Sequence, residues 1–115
     1  MNLLLAKMIL QGGIQDPFYK DTYTIRDEQG KLHNRLGPAY ISKYAIEYRV
    51  HGSIHRVDGP AFYRFNASSV EDKEYWLHGC QYEYEQWCIL IQEEKNLHEF
   101  KNSIDDKRWC HLPSR

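Results

Sequence analysis

Little in this sequence reaches out to a distant partner by charge. Fifteen Lys and Arg stand against sixteen Asp and Glu, a formal net charge of -1, so no overall field gathers nucleic acid or an acidic membrane, and any phosphate contact has to come from a local patch. Long apolar runs are also missing. The opening MNLLLAKMIL is broken by Lys7; it is far shorter than the ~20 residues a bilayer demands, and it shows neither the basic stretch nor the cleavage site of a secretory leader. Cysteine is scarce and odd in number, Cys80, Cys88 and Cys110, with no CxxC pair. That speaks against a disulfide framework and a zinc site and fits reduced thiols in a cytoplasmic setting. No GxGxxG, P-loop or GxSxG occurs, so phosphate-cradling loops and the nucleophile elbow are excluded. The expectation is a non-enzymatic chain with no cofactor, no metal and no membrane segment.

What is present is patterned. An apolar fraction of 42% with 14% aromatics in 115 residues is enough for one folded domain with a real core and leaves no room for a second. The segment GKLHNRLGPAY (30–40) returns as GSIHRVDGPAF (52–62), a spacing of 22 residues. Gly30, Leu32, His33, Gly37, Pro38, Ala39 and Tyr40 align with Gly52, Ile54, His55, Gly59, Pro60, Ala61 and Phe62. A second phrase, EYRVHG (47–52), returns as EYWLHG (74–79) at a spacing of 27, and the extra five residues fit a polar loop in NASSVEDK (66–73). Two phrases recurring in the same order make an internal repeat.

Each unit reads as a β-hairpin. Val, Ile, Tyr, Phe and Trp dominate AIEYRV, AFYRF and EYWL, with alternation of period two and Gly-rich ends, the signature of strands. The Gly-Pro pairs are read as strand punctuation, the Gly for a backbone shape other residues resist and the Pro for a strand's first position. The fold class expected is α+β: an antiparallel β-hairpin-repeat meander over 22–79, with strands near 22–26, 38–42, 45–50, 60–65 and 73–77. Before it stands an N-terminal apolar segment, 1–13, read as a short helix or strand. After it, Tyr84, Trp87, Leu90, Ile91 and Leu97 recur at helical spacing, which predicts an amphipathic helix over 82–100 packed on the sheet, followed by a tail, 101–115.

HRVDGPA, EYWLHG and the helix opening QYEYEQW together resemble a repeat of bacteriophage and giant-virus proteins, in which units like G-K-x-H-R-x-D-G-P-A alternate with a Y-W-x-x-G strand. That family is distantly similar to MORN repeats. The resemblance covers about Gly30 to Trp87; the first copy departs from it at Asn34 and Leu36, so a role for the motif's Arg and Asp carries only to Arg56 and Asp58. It implies a hairpin meander, viral origin and a small protein acting on a host component such as a defence complex.

The candidate chemistry is modest. His33 and His55, like His51 and His78, are repeat equivalents, which points to turn architecture rather than a metal or acid–base site. Asp58 before Gly59 reads as a turn residue with Arg56 bonding to it. The two faces of the strands say more. Ile46, Tyr48 and Val50 point one way and Glu47 and Arg49 the other; repeat equivalence puts Tyr75 and Leu77 on the first side, and Glu74 and Trp76 on the second. A helix on the first side leaves Tyr40, Phe62 and Trp76 exposed among Arg49 and Arg64, a composition typical of binding surfaces; the competing reading has the N-terminal segment covering them. The candidate binding residues are Tyr40, Arg49, Arg56, Phe62, Arg64 and Trp76, for a host protein or a second copy of the chain. The alternatives are capture of a signalling nucleotide, with arginines on its phosphates, and single-stranded nucleic acid, against which the near-neutral charge argues.

Overall fold

A computed structural model describes residues 3–66 and 69–100, with side chains described over 3–65 and 72–94; the expected tail, 101–115, lies outside the described residues. The elements in chain order are α1 (Leu3–Leu10), β1 (Ile14–Gln15), β2 (Tyr23–Thr24), β3 (Tyr40–Ile41), β4 (Ala45–Glu47), β5 (Arg49–Val50), β6 (Ser53–Ile54), β7 (Phe62–Asn66), β8 (Ser69–Leu77), β9 (Cys80–Tyr82) and α2 (Tyr84–Phe100). Seven strands form one antiparallel sheet in the order β1-β2-β3-β4-β7-β8-β9, and β5 and β6 form a separate hairpin. Helix α2 lies against β8 and β9. This is the α+β architecture that the repeat predicts.

The recurring HG pairs make the hairpin turns. His51 and Gly52 have φ of 48° and 89°, and His78 and Gly79 have φ of 50° and 83°. Two successive positive φ values define the type I′ turn, whose twist matches the right-handed twist of the strands it joins. A histidine in this region is strained relative to glycine. The compensation is visible one unit back: the N–H of His51 donates to Nδ1 of His33 at 2.9 Å, and the N–H of His78 donates to Nδ1 of His55, also at 2.9 Å. Each turn's ring also lies on its acceptor's ring, with centroids 3.8 Å apart for His33–His51 and 4.1 Å for His55–His78. Beside each stack the turn glycine bonds the preceding unit, Gly52 N–H to Leu32 O at 2.7 Å and Gly79 N–H to Ile54 O at 2.8 Å. In a third such unit Gln81 would stand in the place of Leu32 and Ile54, and Tyr82 in the place of the histidine.

Three local expectations are corrected. Gly37 and Gly59, before the prolines, do not have positive φ; each instead lets the end of a neighbouring side chain come close, since an added Cβ would lie 3.2 Å from Gln11 Oε1 and 3.3 Å from an Arg56 guanidinium nitrogen respectively. The single strand expected over 45–50 is broken at Tyr48, which bonds Ala61 O and accepts from His55 N–H, so that β4 stays in the large sheet and β5 turns into the small hairpin. The loop expected at 66–73 is largely strand: β8 starts at Ser69, and a register shift after Arg64 sets Phe65 opposite Val70. Asp72 and Lys73, on opposite faces, are both exposed, and a strand wetted on both sides carries no apolar alternation to read.

The core lies between β8, β9 and α2. Leu77, Trp87, Leu90 and Ile91 are buried together, with Tyr75, Tyr82 and Cys88 packed on them. Each such aliphatic side chain contributes about 1.5–3 kcal/mol by leaving water. Trp87 ties the helix to the repeat through Nε1–H donating to Arg56 O at 3.3 Å. At the other end α1 buries Met8 and stops at Gly12, φ 109°, where Gly13 N–H returns to Met8 O at 2.9 Å, the usual way a glycine closes a helix.

Candidate binding face of the sheet

Opposed residues in an antiparallel ladder share a face. The register aligns Thr24 with Tyr40, Tyr40 with Glu47, Glu47 with Phe62, and Phe62 with Glu74. These five form one row across β2, β3, β4, β7 and β8. A second row on the same face runs Ala45, Arg64, Asp72. The opposite face carries Tyr23, Ile41, Ile46, Tyr63 and Lys73, with Tyr75 and Leu77 beyond them under α2. The helix therefore covers the side the alternation assigned to it, and Tyr40, Glu47, Phe62, Glu74 and Trp76 on the other side are each only partly buried.

The polar groups of this face are paired with one another. Arg49 Nε donates to Glu47 at 2.8 Å and its guanidinium also reaches Gly52 O at 2.8 Å. At the equivalent positions Trp76 Nε1–H donates to Glu74 at 2.9 Å. Arg64 bridges to Asp72 directly across the ladder at 2.9 Å and lies 5.3 Å over the Phe62 ring. The result is an aromatic surface whose arginines are paired with carboxylates and whose Glu74 carboxylate is held by the Trp76 N–H. Such a face is ordered before a partner arrives, which lowers the entropy lost on docking.

Of the six candidate residues, Tyr40, Arg49, Phe62, Arg64 and Trp76 come together here. Arg56 does not. It is on the other side, its guanidinium 4.0 Å over the Tyr48 ring and donating to Pro60 O at 3.0 Å and Tyr63 Oη at 3.2 Å. It braces the loop that leads into β7 instead of pairing with Asp58. Asn34 does the same in the first copy, its Nδ2–H donating to Pro38 O at 2.9 Å, so both residue types close one loop. Burial raises the Tyr48 hydroxyl above its ordinary pKa, and Arg56 beside it works in the opposite direction.

The four repeat histidines stay in two separate stacks, with the acceptor nitrogens of His33 and His55 engaged by backbone N–H groups. Among the described residues no three His, Cys, Asp or Glu side chains converge as a metal site. Desolvation lowers the pKa of His33 and of His55, and it brings His78 down to about 4, with His55 adding to the effect. His51 instead meets Asp27, Nδ1 to Oδ2 at 2.7 Å, and that bond together with the Lys31 N–H holds the Asp27 carboxyl down at about 2.

Sequence reasoning missed a second cluster at the β2–β3 end of this face. Phe18, Tyr19 and Tyr44 are among the most exposed large side chains, and all three line one groove of about 490 Å³ with Tyr40, Lys20 and Lys43. The only available signals were the turn-forming Asp16-Pro17 and Ser42-Lys43 beside aromatics. Comparison with protein-family models, with curated proteins and with solved structures returns no match. No helix among the described residues is long and apolar enough to cross a membrane.

Proposed function

We propose that this chain is a small non-enzymatic protein-binding module that docks through the sheet face carrying Tyr40, Phe62 and Trp76, with Arg49 and Arg64 at its margin. The supporting observation is the cross-strand row Tyr40–Glu47–Phe62–Glu74 on the side away from α2. Aromatic rings set among arginines form the kind of patch that supplies most of the affinity at protein interfaces. The likeness of the HRVDGPA and EYWLHG phrases to viral repeat proteins makes the partner a host protein, such as a component of a defence complex, on which the chain acts as an inhibitor. The Arg-based nucleotide reading loses support, because Arg49, Arg56 and Arg64 are each engaged within the fold.

The test is affinity purification of the tagged chain from its host, with mass spectrometry of what co-elutes. Phe62→Ala and Trp76→Ala should each weaken the complex by about 2 kcal/mol, roughly 30-fold. Equal recovery of the partner by both folded variants overturns this face. A complex found to contain only a second copy of the chain, by analytical ultracentrifugation, replaces the host partner with a homodimer.

A further inference from the structure

We propose that the groove between loop 16–22 and turn 42–45 binds a nucleotide, taking a nucleobase against Phe18, Tyr40 and Tyr44 and its phosphate at Lys20. This does not rest on the protein-binding reading of the neighbouring face. The rings are unusually open: Phe18 is 83% exposed, Tyr19 69% and Tyr44 63%. Exposed rings gathered in one groove, rather than scattered singly over the surface, mark a binding site.

The backbone beneath these rings is locked, so their exposure does not come from loose chain. Asp16 Oδ1 accepts from Phe18 N–H at 2.7 Å and from Tyr19 N–H at 3.1 Å, and Gln15 Nε2 donates to Lys20 O at 2.7 Å. Across the groove Ser42 Oγ accepts from the N–H groups of Tyr44 and Ala45 at 3.1 and 3.2 Å, and Tyr44 O accepts from Phe65 N–H at 2.8 Å. Two fixed turns thus present aromatic rings to the groove that Tyr40 also lines. The volume of about 490 Å³ lies within the ~300–1,000 Å³ of small-molecule sites.

Charge selects the ligand. Lys43 is 3.9 Å from Asp21 and lies 5.4 Å over the Tyr44 ring, while Lys20 makes no ion pair among the described residues. The groove so combines flat stacking surfaces with an ammonium group available to an anion, whereas the arginines of the adjoining face are occupied. A flat ring next to a phosphate is the chemistry of a nucleotide, and it comes either free or as part of a single strand, where bases stack on aromatics and lysines follow the backbone.

The experiment is titration of the ¹⁵N-labelled full chain with AMP, with a thymidine octanucleotide, and with adenosine and inorganic phosphate separately. AMP or the octanucleotide should shift the amides of 18–22 and 40–45, with adenosine and phosphate each binding at least roughly ten-fold more weakly. A tighter octanucleotide identifies a strand as the source; equal affinities identify the free nucleotide. Phe18→Ala and Tyr44→Ala should each raise the Kd by roughly five-fold or more, and Lys20→Gln should weaken AMP but not adenosine. These side chains are exposed, so the variants should keep the wild-type Tm. Phe62→Ala and Trp76→Ala should leave AMP binding unchanged. The proposal falls if neither nucleotide probe moves the amides of the two turns, or if Phe18→Ala, Tyr44→Ala and Lys20→Gln all bind AMP as tightly as the parent.

Discussion

The junction built on His33 and His51 and the junction built on His55 and His78 use the same bonds in different surroundings. Both have the 2.9 Å bond from a turn N–H to an imidazole nitrogen and a glycine bond to the unit before. They differ in what the turn histidine's ring meets. In the first, the rings lie 20° from parallel and His51 is outside, bonded to Asp27. In the second they are tilted by 42°, and burial keeps His78 neutral down to about 4. The residue corresponding to Asp27 one unit later is Arg49, which has no oxygen to offer and turns to Glu47. Repetition fixes the backbone bonds, and the neighbours, which do not repeat, set the electrostatics.

That contrast can be broken most forcefully at the acceptor rings. His55→Ala leaves the His78 N–H without its partner in the more buried junction and should cost about 1–3 kcal/mol in urea unfolding, against about 0.5–1.5 kcal/mol for His33→Ala, where water can replace the ring. Equal losses would mean that the two junctions do not differ in burial as described. Gly52→Ala and Gly79→Ala isolate the part that is the same. Their φ values of 89° and 83° strain any side chain, and a Cβ meets nothing closer than 3.4 Å at either, so each should lose a matching ~1–2 kcal/mol in the same assay.

The pH dependence separates the junctions more finely. Between its ordinary 6.5 and about 4, His78 is protonated in the unfolded chain and neutral in the fold, so acidification across that window removes stability; His33 and His55 act in the same direction. Asp27 is depressed from 3.8 to about 2, so its contribution is complete above 3.8 and disappears as pH falls towards 2. Thermal unfolding as a function of pH should therefore show His78→Asn flattening the upper limb and Asp27→Asn acting chiefly on the lower one. A profile in which Asp27→Asn leaves the lower limb unchanged would undo the assignment. The smallest effect is expected for His51→Asn, below about 1 kcal/mol, since Asn tolerates positive φ and the change removes only an exposed bond to Asp27, seen on the lower limb.

Much of this architecture was legible in the letters of the chain. The doubled GxxHxxxGPA phrase and the doubled EYxxHG phrase located the hairpins, and the change to helical spacing after Gly79 located α2. Alternation along IEYRV, AFYRF and EYWL, with Tyr40 the repeat equivalent of Phe62, also put Tyr40, Phe62 and Trp76 on the face away from the helix. It misled where one residue type has two jobs. Arg56 sits in a repeat beside an Asp, and nothing in its spacing says that its guanidinium reaches a carbonyl and two tyrosines instead. The glycines before Pro38 and Pro60 look like torsional devices, yet their φ is ordinary and what they allow is the close approach of a neighbouring side chain's end. Phe18 and Tyr44 lie outside any periodic run, so their convergence on one groove depends on the pairing of β2 with β3, which no local pattern encodes.

The third ribbon ends differently from the first two, and this sets how far the ladder can grow. Tyr82 gives its ring to the helix side where His33 and His55 offer a nitrogen, so another turn laid on that border would meet the Gln81 carbonyl but no imidazole to lean on. Extra 22-residue units spliced between the two existing junctions would find the imidazole and carbonyl acceptors that each turn uses, while the same units appended after Tyr82 would find no imidazole. The platform's width is thus a matter of counting interior copies, with the helix as a fixed stop.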